Sequence, residues 1–256
     1  LAHLPDAIRL RHRHNRSAMT QSYPTPEIFE IDRVEITLEP WSWPFASDRS
    51  ADIDRYFTEL QSRRPGVWNG RVLLLNRYAI AGRVLRGACF ETDYSSFITW
   101  RDREFPDPGV YNFFAAAVLR SDDGGYLLGE MASYTAGAGR SYFPCGTPEP
   151  ADLGADGTLD LRDNLCRELL EETGIAIAEL DAEPGWTVVR DRCFLGLMKR
   201  LKARQSAEEL RARIMRHIAS DQHPELADIR IVRGPADIDS SMPPSVVAYL
   251  EREWRR

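Results

Sequence analysis

Arg167-Glu168-Leu169-Leu170-Glu171-Glu172-Thr173-Gly174-Ile175 places three carboxylates and one arginine in nine residues that read as the last turns of a helix. Glu168 and Glu172 are four apart and project from one face, with Glu171 three beyond Glu168. Like charges at these spacings repel, and carboxylates near a helix C-terminus oppose the macrodipole at roughly 0.3–1 kcal/mol each. A bound divalent cation would reverse both penalties, and hard oxygen donors suit Mg²⁺ or Mn²⁺. The competing reading is a solvated acidic face. The flanks weigh against it. Asp160 is placed as an N-cap, with Asp163 completing a weak capping box, and Gly174 is the expected residue past the C-terminus. Leu161, Leu165 and Leu169 form an apolar stripe, with Cys166 and Leu170 beside it, and the acids border this arc instead of lying opposite it.

This run resembles the second half of the Nudix hydrolase signature, G-x5-E-x7-R-E-U-x-E-E-x-G-U with U a bulky aliphatic, and matches it without a break from Arg167 to Ile175. The first half departs. Phe143-Pro144-Cys145-Gly146 is similar to the Pro-Gly-Gly that opens the motif, with Cys145 replacing one glycine. Counting from Gly146 puts the glutamate position at Asp152, with fourteen residues between it and Arg167 where the family has seven; counting back from Arg167 puts it at Leu159. An inserted turn around Gly154-Ala155-Asp156-Gly157 accounts for the difference. The resemblance implies an α/β/α sandwich, a mixed-sheet α/β fold, with Glu168 and Glu172 as direct metal ligands. Glu171 would act through water or through Arg167, whose salt bridge to Glu171 holds the cluster.

Composition bounds the rest. A chain of 256 residues with 43% hydrophobic content is globular, and no apolar run approaches the ~20 residues of a membrane span. The net charge of −6 argues against non-specific nucleic-acid binding. Lys199 and Lys202 are the only lysines, so arginine supplies the phosphate-recognising cations. Cys89, Cys145, Cys166 and Cys193 are scattered with no C-x-x-C, which indicates reduced thiols and a cytoplasmic setting. There is no Walker A loop, dinucleotide fingerprint or G-x-S-x-G elbow.

Along the chain, residues 1–26 are expected to be a flexible leader, with Met19 as the natural start. Residues 27–108 should form an N-terminal α+β unit and residues 109–256 the main domain. The smaller unit is expected to pack on the larger, or on a second copy of the chain in a homodimer, and to close one side of a cleft. The resemblance implies metal-dependent hydrolysis of a diphosphate bond in a small nucleoside diphosphate derivative, such as a nucleotide sugar. Glu225, in Pro224-Glu225-Leu226, is the candidate base, with Asp221, Asp228 and Glu183 competing. Arg140 and Tyr142 precede the motif loop, where they would grip phosphate and stack a base, and Gly146 opens that loop. The alternative is a catalytically silent Nudix-like nucleotide-binding or regulatory module.

Overall fold

The computed structural model describes residues 25–256. The reading of residues 1–26 as a leader lies almost wholly outside them. The fold is mixed α/β, built on two sheets. The strands are β1 (Glu27–Ile31), β2 (Arg33–Leu38), β3 (Arg71–Ala81), β4 (Val84–Asp93), β5 (Asn112–Arg120), β6 (Tyr126–Met131), β7 (Ser141–Tyr142), β8 (Cys145–Gly146), β9 (Asp181–Ala182), β10 (Trp186–Asp191), β11 (Phe194–Lys202) and β12 (Leu226–Val232). The helices are α1 (Pro44–Asp48), α2 (Ser50–Arg63), α3 (Tyr94–Asp102), α4 (Leu161–Thr173), α5 (Ala207–Ser220) and α6 (Pro244–Trp254).

The large sheet runs β1-β10-β11-β5-β6-β12, with the short β7, β8 and β9 paired to β6, β5 and β11. Strand β5 shows why it is central. Its odd residues Phe113, Ala115, Ala117 and Leu119 face one layer with Leu161, Leu165 and Leu169 of α4 and Leu210 and Ile214 of α5. Its even residues Ala116 and Val118 face the other, with Val246, Tyr249 and Leu250 of α6. A strand buried on both faces must be apolar throughout, as this one is. The result is the α/β/α layering that the resemblance implies.

The small sheet, β2-β4-β3, also has two apolar faces. Val72, Leu74 and Phe90 pack under α1 and α3 with Trp43, Phe45, Phe97 and Trp100. Ile36, Leu73, Leu75 and Leu85 join the core that holds the α4 leucines. The two sheets therefore share one hydrophobic interior. The β3–β4 hairpin turns at Gly82 and Arg83, both at positive φ (56° and 60°), as a two-residue turn matched to strand twist requires. Two boundaries differ from expectation. Ile53, Tyr56, Phe57 and Leu60 recur at a spacing that predicts one helix over residues 48–64, and the chain instead breaks at Arg49 into the end of α1 and α2. Strand β1, expected inside the N-terminal unit, pairs antiparallel with β10 of the large sheet instead. Its anchor is Glu30, which accepts from Thr187 Oγ1 (3.0 Å), Arg200 (3.1 Å) and Arg256 (2.7 Å) and pairs with Arg252 at 2.6 Å. These partners hold its carboxyl below the usual range although burial pushes the other way.

Candidate active site

Helix α4 is set by its ends and its stripe. Asp160 accepts from the Arg162 and Asp163 amides at 2.9 and 3.1 Å, and Gly174 closes the helix in the left-handed region at φ 67°. Leu161, Leu165 and Leu169 are buried, each contributing about 1.5–3 kcal/mol. At the C-terminus, His217 of α5 donates to the Glu171 carbonyl (2.8 Å) and Arg213 to the Gly174 carbonyl (3.1 Å), filling acceptors the helix leaves open.

The motif loop resolves the two ways of counting. Leu153 bridges Leu159, Gly154 donates to the Thr158 carbonyl (2.8 Å), and the Asp160 amide donates to the Asp152 carbonyl (3.0 Å). Residues 153–159 are thus a closed excursion that leaves and rejoins the chain at one point. Without its seven residues, seven remain between Asp152 and Arg167, the family spacing. Asp152 is itself tied to α4. Its buried carboxylate accepts from Asn164 Nδ2 (3.0 Å), the Glu149 amide (2.9 Å) and Arg167 (3.2 Å). The excursion lies on the free edge of β2, where Leu38 donates to Gly157 (2.8 Å) and Leu159 to Ile36 (2.9 Å). On the other side Leu73 of β3 donates to Pro148 (2.8 Å), so the small sheet grips the motif loop twice.

Arg167 sits among four carboxylates: Glu168 at 2.9 Å, Asp152 at 3.2 Å, Glu171 at 3.3 Å and Glu149 at 3.7 Å. The Arg167–Glu171 bridge read from the i,i+4 spacing is present. Glu168 and Glu172 turn inward. A Cβ added at Gly146 would lie 2.1 Å from the Glu168 carboxyl carbon, so only glycine leaves room for that carboxylate. Glu172 is 9% exposed and takes a hydrogen bond from the Cys145 amide. Burial pushes Glu168 up to about 7, against the pull of Arg167 and with Glu171, Glu225 and Asp152 adding to it. Burial, then Glu168 and Glu225, raise Glu172 well above the ordinary carboxylate range. The same carboxylates, after burial, raise the neighbouring Cys145 thiol.

A cavity of about 260 Å³ opens on this cluster, lined by Glu168, Glu171, Glu172, Asp221, His223 and Glu225 together with His217 and the loop before β12. Partial desolvation, then Glu171 and Asp221, raise the Glu225 carboxyl. Of its competitors, Asp221 shares the cavity, Asp228 is taken by Arg211, and Glu183 faces Arg200 at 3.9 Å. Arg140 and Tyr142 are not brought to the cavity walls. Pairing of β7 with β6 turns Arg140 toward the Ser240 carbonyl (3.3 Å), and the Tyr142 ring lies against Gly137. Asn164 and His217 escaped the sequence reading: one is an unremarkable polar residue inside the helix, the other belongs to an element 46 residues from its partner.

Among the described residues no three His, Cys, Asp or Glu side chains form a ready-made coordination group. The fit to a divalent cation lies in donor type and charge: Glu172 buried and Glu168 half-buried, both raised first by burial and then by neighbouring carboxylates, with one arginine against them.

No family model matches the chain, and no curated protein does. Among solved structures, the chain is similar to a Nudix hydrolase from M. smegmatis, RenU (15% identity, 56% of this chain and 84% of that chain, TM-score 0.38). It is similar to a NUDIX hydrolase from Nitrosomonas europaea (19% identity, 57% and 89% covered, TM-score 0.37). It is also similar to the NUDIX domain of Shewanella oneidensis NrtR, crystallised with ADP ribose (18% identity, 57% and 88% covered, TM-score 0.35).

Proposed function

We propose that the chain is a Nudix-type hydrolase that cleaves the diphosphate bond of a small nucleoside diphosphate derivative with the help of Mg²⁺ or Mn²⁺. The observation that carries the reading is the inward-turned pair Glu168, half-buried against Gly146, and Glu172, buried on the Cys145 amide, like charges held at one place. Such a pair is maintained at a cost, and a divalent cation relieves it. Glu168 and Glu172 would hold the ion, with Glu171 assisting through water. When bound, the ion neutralises diphosphate charge and lowers the pKa of attached water.

The chain's own groups supply the rest. Arg167, tied to Asp152 and Glu171, keeps the Glu168 carboxylate directed inward. Glu225, raised first by burial and then by Glu171 and Asp221, is poised to take a proton from the attacking water. The water oxygen bonds to one phosphorus as the bridging P–O bond breaks, giving two phosphorylated products and no covalent enzyme intermediate. A silent nucleotide-binding module is the second reading, favoured by the Arg167–Glu168 ion pair that already engages one proposed ligand.

The test has two stages. Mn²⁺ should raise the melting temperature of the wild type and much less that of Glu168→Gln or Glu172→Gln. Turnover of ADP-ribose or UDP-glucose in ¹⁸O-water should then label one phosphate product. Unchanged Mn²⁺ affinity in both variants would refute the ligand assignment. Cation binding without turnover across a broad diphosphate panel would favour the silent module.

A further inference from the structure

The loop between β6 and β7 makes contacts that cleft closure does not account for. Its Ala132 amide donates to the Glu225 carbonyl at 2.8 Å, and the Tyr134 hydroxyl donates to the carbonyl of Pro224, the peptide just before Glu225. Both anchors hold the backbone that presents Glu225 to the cavity. On its other side the loop is fixed to the N-terminal unit. Arg64, just past the end of α2, donates from one nitrogen to the Thr135 and Ala136 carbonyls at 3.0 and 3.1 Å. Ala136 packs on the cluster of Phe57, Leu60, Val67 and Ile98, and Gly66 lies 3.5 Å or more, by an added Cβ, from the Tyr134 ring. Neither Tyr134 nor Arg64 lines the cavity.

We infer that Tyr134 is a positioning residue for Glu225, and that Arg64 of the N-terminal unit holds Tyr134 in place. This rests on the reading of Glu225 as part of the active site. The N-terminal unit then acts on the reaction as a brace behind the base. With the carbonyls before and after its Cα both held, the Glu225 side chain has few places to go, which is what a proton acceptor within hydrogen-bond reach of a water requires. Loss of the Tyr134 hydroxyl frees the Pro224 carbonyl and lets Glu225 swing toward solvent.

The experiment is a double-mutant cycle of Tyr134→Phe and Glu225→Gln in the full chain, read as Mn²⁺ affinity by calorimetry and as kcat and KM with ADP-ribose and UDP-glucose as probes. Tyr134→Phe should lower kcat by roughly three- to tenfold, the weight of one hydrogen bond, with KM little changed. It should weaken Mn²⁺ in the direction that Glu225→Gln does, and add nothing in the Glu225→Gln background. Arg64→Ala should reproduce the loss and Arg64→Lys recover most of it. Losses that add in the Glu225→Gln background, or a silent Tyr134→Phe beside an impaired Glu225→Gln, would overturn the positioning role alone. A silent Glu225→Gln would remove Glu225 from the site and both readings with it. With neither probe turned over, the Mn²⁺ cycle decides by the same pattern.

Discussion

Gly146 carries the sharpest prediction at the scale of one residue. Alanine there puts a carbon 2.1 Å from the Glu168 carboxyl carbon, so the carboxylate must leave its place. Mn²⁺ affinity should fall roughly 10- to 100-fold, as when the support of a metal ligand is lost. Gly234→Ala, with nothing within 4 Å of the added carbon, is the control and should match wild type in the same calorimetry. Glu168 itself gives a pH prediction. Its pKa in the folded state is raised from 4.5 to about 7, so its contribution to stability is full below about pH 4.5 and is lost as the pH rises through about 7. Glu172 acts in the same direction. In chelator, the melting temperature of wild type relative to Glu168→Gln should therefore drop between pH 5 and pH 8. Parallel profiles would show that Glu168 is not held in an unfavourable ionised state. Mn²⁺, which prefers the charged form, should bind more tightly across the same interval.

Helix α4 was legible in the sequence because its determinants are local: an Asp160 cap, three leucines four apart, and a terminal glycine. The acids at the edge of its packed face were legible for the same reason. The motif loop was not. Whether Asp152 or Leu159 takes the glutamate position turns on whether residues 153–159 close on themselves, and that closure is set partly by β2, whose Thr37 bridges Thr158 across 121 positions. No local pattern announces such a pairing. The surroundings of Arg140 and Tyr142 were not legible for a related reason, since adjacency to the motif in sequence says nothing about which way a two-residue strand and its flank face. Replacing Leu153–Leu159 with a single glycine tests the closure. Helix α4 should persist, because Asp152, Asn164 and Arg167 stay in place. The chain should lose about 1–3 kcal/mol with its backbone bonds to β2 and retain Mn²⁺ affinity. Collapse of helicity by circular dichroism would mean that the excursion is needed to build the helix.

For the whole molecule, the shared interior governs what can be removed. A chain beginning at Gly109 loses β1, leaving β10 as an open edge, and loses the small sheet, baring the face of the core that meets Ile36, Leu73, Leu75 and Leu85. It should be poorly soluble, and any soluble fraction should show light scattering from association. A monodisperse, active product with unaltered KM would show that the N-terminal unit neither braces nor covers the site. The Glu30 cluster has a mechanical side as well. It fastens the first strand to Arg252 and Arg256 at the far end of the chain, so a pull applied to the two ends loads those ion pairs and the β1–β10 ladder before anything else. In an optical trap the opening event should be the peeling of β1 and α6, at a force that drops in Glu30→Gln. The acidic helix, clamped between β5 and α5 on the shielded side, should yield only in a later and separate step.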